Sequence, residues 1–156
     1  MARVQRAERA GTPVDFLHRR AAEGLADSLD AIPCDFSVVV DLSPRAGIFA
    51  EVLADHDAAA RIGPVTTPVP LADRVVPGEG PLALEDGSVD LIVSVLGLHW
   101  ANDLPGALAQ SRRALKPDGL FLGAMFGAGT LTELRDVLTR AALEVTGGAA
   151  PRVSPF

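Results

Sequence analysis

The sequence predicts one α/β domain with a mainly parallel sheet. Two short runs of β-branched and apolar residues, FSVVVDL (36–42) and VDLIVSVL (89–96), have the near-continuous apolar character of strands buried on both faces. Helix-like segments lie between and around them, and strands alternating with helices call for parallel pairing through right-handed crossovers. The chain has 156 residues, 48% hydrophobic and 22% charged, which suits one globular domain rather than a disordered chain.

The elements follow in order. Residues 14–32 read as an amphipathic helix, because Phe16, Leu17, Ala21, Leu25 and Leu29 recur mostly at four-residue steps and Pro33 then ends the pattern. The run 36–42 is the first strand, with Asp41 near its C-terminal end and Ser43-Pro44-Arg45 as its turn. Residues 46–55 are helix-like. Weaker strands are expected at 62–67 and near Arg74 and Val75. The turn Glu85-Asp86-Gly87 introduces the strongest strand, 89–96. A helix over 104–115 follows, with Pro105 in its first turn, where a missing N–H costs least, and Asp103 placed to cap it. Lys116-Pro117-Asp118-Gly119 breaks that helix before the apolar run 120–126. Thr130 and Glu133 have the spacing of a capping box that opens the last helix, which Gly147 and Gly148 end. The expected organisation is a single domain: an N-terminal helix at 14–32, a core at 36–146 and a tail at 147–156.

Several function classes are excluded. A formal net charge of −6 disfavours a surface that tracks phosphates, and 4% aromatic residues leave few rings for stacking bases, so no nucleic-acid partner is expected. The apolar stretch 91–100 is far short of the ~20 residues that span a bilayer. Arg3, Arg6 and Arg9 have no apolar block behind them, which argues against a secretory signal. The one cysteine, Cys34, fits a reducing compartment and reads as a small buried residue. His18, His56 and His99 are far apart in sequence. Asp55 and Asp57 flank His56 but point away from it on a helix, so no metal site is expected.

Open parallel sheets bind ligands at the carboxyl ends of their strands, near the point where strand order reverses. The turn after Asp41 and the segment after Leu96 are therefore the places for a site.

Those places also carry a resemblance. IVSVLGLHWANDLPGALAQSRRALKPDGLFLGAMFG (92–127), TLTELR (130–135), GGAAPRVSPF (147–156) and FLHRRAAEGLADSLD (16–30) together resemble class I S-adenosylmethionine-dependent methyltransferases. Within that superfamily they are similar to the methyltransferase-like assembly factors of respiratory complex I and their bacterial relatives, and more distantly to the methyltransferase of biotin synthesis. The resemblance implies a Rossmann-like fold, here truncated at the C-terminus. Relatives continue with further helices and an antiparallel strand pair, so an open edge is expected beside the strand at 120–126. Such an edge invites pairing with another chain, so the expectation is either a homodimer or a fragment of a longer protein. The resemblance further implies S-adenosylmethionine as cofactor and a small-molecule or protein methyl acceptor. Asp41, Leu42, Ser43, Gly47, Glu79 and Leu96 would line the cofactor pocket, with His99 and Trp100 facing the acceptor. It implies a cytoplasmic location, or the mitochondrial matrix in a eukaryote.

The sequence departs from the family pattern at the pocket. The family's first motif, roughly D-L-G-x-G-x-G, reads Asp41-Leu42-Ser43-Pro44-Arg45-Ala46-Gly47, so Ser43 and Arg45 replace glycines that let the backbone approach the cofactor. No acid stands in the segment 64–70 to accept bonds from the ribose; Thr66 and Thr67 offer only neutral hydroxyls. Too few residues separate Thr67 from Arg74 for a crossover helix. These departures point to an alternative function, a non-methylating assembly factor or protein-binding module of the same fold, for which the resemblance offers protein-arginine hydroxylation as one variant. Each candidate also has a plainer role. His99 and Trp100 can seat the next helix, Asp41 can hold the turn's amides, and Glu79 can be a solvated turn residue. Asn102 and Asp103 can contact substrate, though a helix cap explains Asp103 more simply, and Arg135 and Arg152 can meet an acidic or peptide partner or be ordinary surface arginines.

Overall fold

The computed structural model describes residues 14–67 and 82–148. Two compact units divide the chain, Met1–Met125 and Phe126–Phe156.

The first unit is an α/β layer. α1 (Phe16–Asp30) buries Ala22, Leu25, Ala26 and Leu29, a stripe at three- and four-residue steps. Phe16 and Leu17, assigned to that stripe from sequence, are exposed. The buried row is rotated past them and runs back through position 18. β1 (Val39–Asp41) is shorter than expected, and Phe36 contributes only an isolated bridge to Ile62. α2 (Ile48–Leu53), a 3₁₀ turn (Asp57–Arg61) and β2 (Val65–Thr66) follow. β3 (Val89–Val95) has every residue buried except Asp90. A 3₁₀ turn (Leu98–Trp100) leads to α3 (Leu104–Ala114) and β4 (Leu115–Ala124). The strand expected near Arg74 and Val75, and Glu79 with it, lie outside the described residues.

The four strands run in the order β2-β1-β3-β4, and every pair is parallel. Register pairs Val39 with Val65 and Leu91, and Ile92 with Phe121. Chain order reverses between β1 and β3, which puts the switch point of the sheet there. β4 begins earlier than the sequence indicates because residues around Pro117 are absorbed in an irregularity: Leu115 pairs with Val89 and Leu120 with Leu91. Asp118 takes the left-handed conformation there, at φ 64°. Val40, Leu42, Ile92 and Ala114 form one core cluster, with Phe121 packed against it. Burial of each large aliphatic side chain of this kind stabilises by ~1.5–3 kcal/mol.

Polar groups fix the start of the sheet. Asp90 accepts from the backbone N–H groups of Ser37 (3.2 Å) and Val38 (2.8 Å), and its other oxygen meets Lys116 Nζ at 2.9 Å. One carboxylate thus joins β3 to the chain entering β1 and to β4. Asp103 caps α3 as expected, its carboxylate accepting from Gly106 N at 2.9 Å.

The second unit contains α4 (Thr132–Thr146). Its N-cap is Leu131 at φ 57°, not Thr130, and no side chain caps it. The capping box read from Thr130 and Glu133 therefore does not form; Thr130 instead offers its carbonyl to Arg135 Nη2. Gly147 closes the helix at φ 68°, as its position predicts.

Candidate functional site

The switch point brings the C-terminal ends of β1 and β3 side by side, and Asp41 pairs there with Val93. Asp41 is fully buried. Its Oδ1 accepts the backbone N–H of Ser43 at 2.8 Å and the Ser43 hydroxyl as well. Ser43 Oγ in turn accepts the N–H of Val95 at 2.8 Å, and Leu42 N donates to Val93 O at 2.8 Å. The turn leaving β1 is thereby stitched to the end of β3. Burial pushes the Asp41 carboxyl above its ordinary pKa, against the opposing pull of the two bonds from Ser43. Asp41 Oδ2 is buried and has no partner among the described residues.

The neighbouring geometry closes the same space. A Cβ on Gly97 would meet Pro44 Cδ at 3.0 Å, Leu42 O at 3.3 Å and Ser94 Oγ at 3.3 Å. Pro44 therefore rests against the segment leaving β3, where only a glycine admits it. Leu96, at φ 51°, is buried beside it. Gly47 differs from these residues: it is exposed and left-handed at φ 94°, the N-cap of α2, and a Cβ there would touch nothing.

The fit to a nucleoside cofactor with an amino-acid end can be tested on these atoms. Asp41, Leu42, Ser43 and Leu96 come together, but all four are buried. The N–H groups of Leu42, Ser43 and Val95 are bonded within the protein, and Pro44 has none. Thr66 spends its hydroxyl on Val39 O at 2.9 Å, so it is not directed at a ribose. Asp41 Oδ2 is the one orphaned polar atom of the turn. With the turn's amides spent within the protein, that oxygen alone is left to meet the amino-acid portion of such a cofactor in this arrangement.

On the far side of the switch point, His99 and Trp100 follow β3 in the 3₁₀ turn. Their ring centroids are 5.1 Å apart and tilted by 46°. Burial lowers the His99 pKa, while Trp100 is half exposed. His18 of α1 joins this group. Its pKa is lowered first by burial and then by the nearby charge of Arg45, with His99 adding to the effect. His18 is distant from both residues along the chain, so spacing alone does not connect it with them. The signal that could have found it is its place four residues before Ala22 and eight before Ala26, in the buried row. Cys34, read as buried, is exposed.

Similarity to known proteins agrees with this topology. The sequence model of the family described as Methyltransferase domain matches residues 37–123. "Arginine-hydroxylase NDUFAF5, mitochondrial" of Homo sapiens is 39% identical over 155 residues, covering 93% of this chain and 45% of its own length. Malonyl-(acyl-carrier protein) O-methyltransferase of Xylella fastidiosa is 45% identical over 75 residues, covering 48% of this chain and 23% of its own. The chain thus spans less than half the length of these curated relatives. The crystal structure of a SAM-dependent methyltransferase from Thermotoga maritima aligns with a TM-score of 0.51 at 18% identity, covering 88% of this chain and 66% of that one, and shares its fold.

Proposed function

Because the chain belongs to the Methyltransferase domain family, we propose that it is a methyltransferase-like protein that acts as a protein-binding or assembly module, with S-adenosylmethionine held weakly or not at all. The observation that carries this reading is the chain of bonds Asp41–Ser43–Val95, which spends the Ser43 hydroxyl and the Ser43 and Val95 amides within the protein. Opening those bonds to admit a ligand leaves buried groups unpaired, at roughly 1–3 kcal/mol each. The replacement of family glycines by Ser43 and Arg45 works in the same direction. So does the name of the human relative, an arginine hydroxylase rather than a methyltransferase.

Asp41 Oδ2 favours a second reading, methyl transfer, since an orphaned buried oxygen is what a bound amino group would satisfy. The Xylella relative's name is that of a methyltransferase. In this reading Asp41, Leu42, Ser43, Gly47, Glu79 and Leu96 hold the cofactor, which supplies an electrophilic methyl group. His99 and Trp100 then orient a small-molecule or protein acceptor, and catalysis rests mainly on positioning. Both readings put the protein in the cytoplasm or, in a eukaryote, the mitochondrial matrix; the human relative carries the word mitochondrial in its name. The outer edge of β4, which pairs only with β3 among the described residues, is where a second copy would add a strand. Sedimentation of a homodimer would support that pairing, and a monomer at all concentrations would count against it.

Thermal unfolding with and without S-adenosylhomocysteine separates the two functional readings, because a ligand that binds the native state raises the midpoint in proportion to ln(1 + [L]/Kd). The module reading expects no shift at millimolar ligand. A rise of several degrees at tens of micromolar would establish the methyltransferase reading instead.

A further inference from the structure

We propose that Asp27, Asp30 and His56 form a binding site for a divalent transition metal of the zinc class. The three residues lie where α1 and α2 lead the chain toward β1 and β2, at the opposite end of the strands from the turn after Asp41, and the inference is independent of the function proposed above. Asp27 and Asp30 are three positions apart on α1 and so share a face. His56 follows α2 and precedes the 3₁₀ turn. One ligand atom from each, the two carboxylate oxygens and an imidazole nitrogen, lie within 4.8 Å of one another.

The distances are close to those of a coordination shell. Zinc binds imidazole nitrogen and carboxylate oxygen at about 2.0–2.2 Å, which separates neighbouring ligand atoms in a tetrahedron by roughly 3.3 Å. His56 Nδ1 is 2.8 Å from Asp30 Oδ2 and 3.9 Å from Asp27 Oδ1, so the two distances straddle that value. Movements of about half an ångström bring both to it, and Asp27, with a side chain 71% exposed, is free to make its share. Asp30 is already oriented: its Oδ1 accepts Ala58 N at 2.7 Å, the kind of outer contact that fixes a ligand's direction. On binding, the proton between His56 and Asp30 goes to solvent and water completes the shell.

Beyond the hydrogen bond between His56 and Asp30, the Asp27 carboxylate lies 3.9 Å from the same nitrogen. Asp27 and His56 also border a hollow of about 430 Å³ that Glu23, Glu51 and Asp55 line as well. Two of those carboxylates are engaged by arginines on the rim, Glu51 by Arg19 and Glu23 by Arg20, whereas Asp27 faces His56. The excess of carboxylate charge at a histidine with room beside it suits a cation.

The test is zinc chloride titration of the full chain against a chromogenic chelator, in a Cys34→Ser background so that the exposed thiol does not contribute. One zinc per chain with a Kd of about 10 μM or tighter is expected. Asp27→Asn and His56→Ala should each weaken it at least about tenfold, since losing even an outer-shell partner can cost that much. Asp27→Asn leaves the Asp30 bonds to His56 and Ala58 in place, so its loss of binding reports coordination rather than unfolding. Absence of zinc binding in the parent chain, or undiminished affinity in Asp27→Asn, would overturn the site.

Discussion

Ser43 Oγ accepts the backbone N–H of Val95 at 2.8 Å, which fastens the turn after β1 to the last residue of β3 across the switch point of the sheet. The same side chain donates to buried Asp41. Replacing it with alanine removes both bonds and leaves a buried N–H and a buried carboxylate short of partners. Ser43→Ala is expected to lower unfolding stability by about 2–4 kcal/mol, read as a shift of the urea midpoint at unchanged slope. An effect below about 0.5 kcal/mol would mean the stitch contributes nothing.

Asp41 itself sets a pH dependence with a definite sign. Its carboxyl sits above the ordinary value of 3.8 because burial outweighs the bonds from Ser43. A raised acid binds its proton more tightly in the folded state, so its ionisation costs stability as pH rises from about 4 toward the folded value. Against Asp41→Asn, which does not titrate, the parent chain should lose relative stability over that interval. A difference that is flat with pH, or of opposite slope, would refute the assignment.

Asp90 provides the opposite case. Lys116 first, then the Val38 and Ser37 amides, hold its carboxyl below 3.8 against a smaller opposing effect of burial. Its contribution is present above the unfolded value and disappears as pH falls through the folded one. Asp90→Ala should cost about 1 kcal/mol at pH 7, little of it from the exposed ion pair, and nearly nothing at pH 2. Denaturation at the two pH values provides the comparison.

The caps of α3 and α4 predict contrasting mutations. Asp103→Ala removes the bond to Gly106 N and should destabilise by about 0.5–2 kcal/mol. Thr130→Ala should change helicity and stability by no more than a few tenths, because Leu131 occupies the N-cap and Thr130 contributes its backbone. Circular dichroism and urea titration of the pair decide this.

Gly97→Ala tests the packing of Pro44. The new methyl would press on Pro44 Cδ at 3.0 Å with carbonyl and hydroxyl oxygens at 3.3 Å, and overpacking of that kind costs about 1–3 kcal/mol. A neutral substitution would indicate that the turn is loosely held.

Much of this arrangement is legible in the sequence because it rests on local signals. The run VDLIVSV can satisfy its apolar character only in the sheet interior, and Asp103 before Leu104-Pro105 has one obvious use. Long-range relations are less accessible. Nothing in the order of residues says that Ser43 will spend its hydroxyl on Asp41 rather than on a ligand, or that Pro44 will settle against Gly97. The capping box failed because Thr130-x-x-Glu133 is only a spacing, and Leu131 took the left-handed position instead. The sequence neighbours of His56 are Asp55 and Asp57, whereas the carboxylates beside its ring, Asp27 and Asp30, come from α1.

Whether the stitched turn excludes the cofactor is measured directly by calorimetric titration of the full chain with S-adenosylmethionine. No saturable heat is expected below about 1 mM, with an Arg45→Gly, Ser43→Gly variant gaining affinity as the turn opens. Binding by the parent chain at a Kd of a few micromolar, about −7 to −8 kcal/mol, would contradict that exclusion.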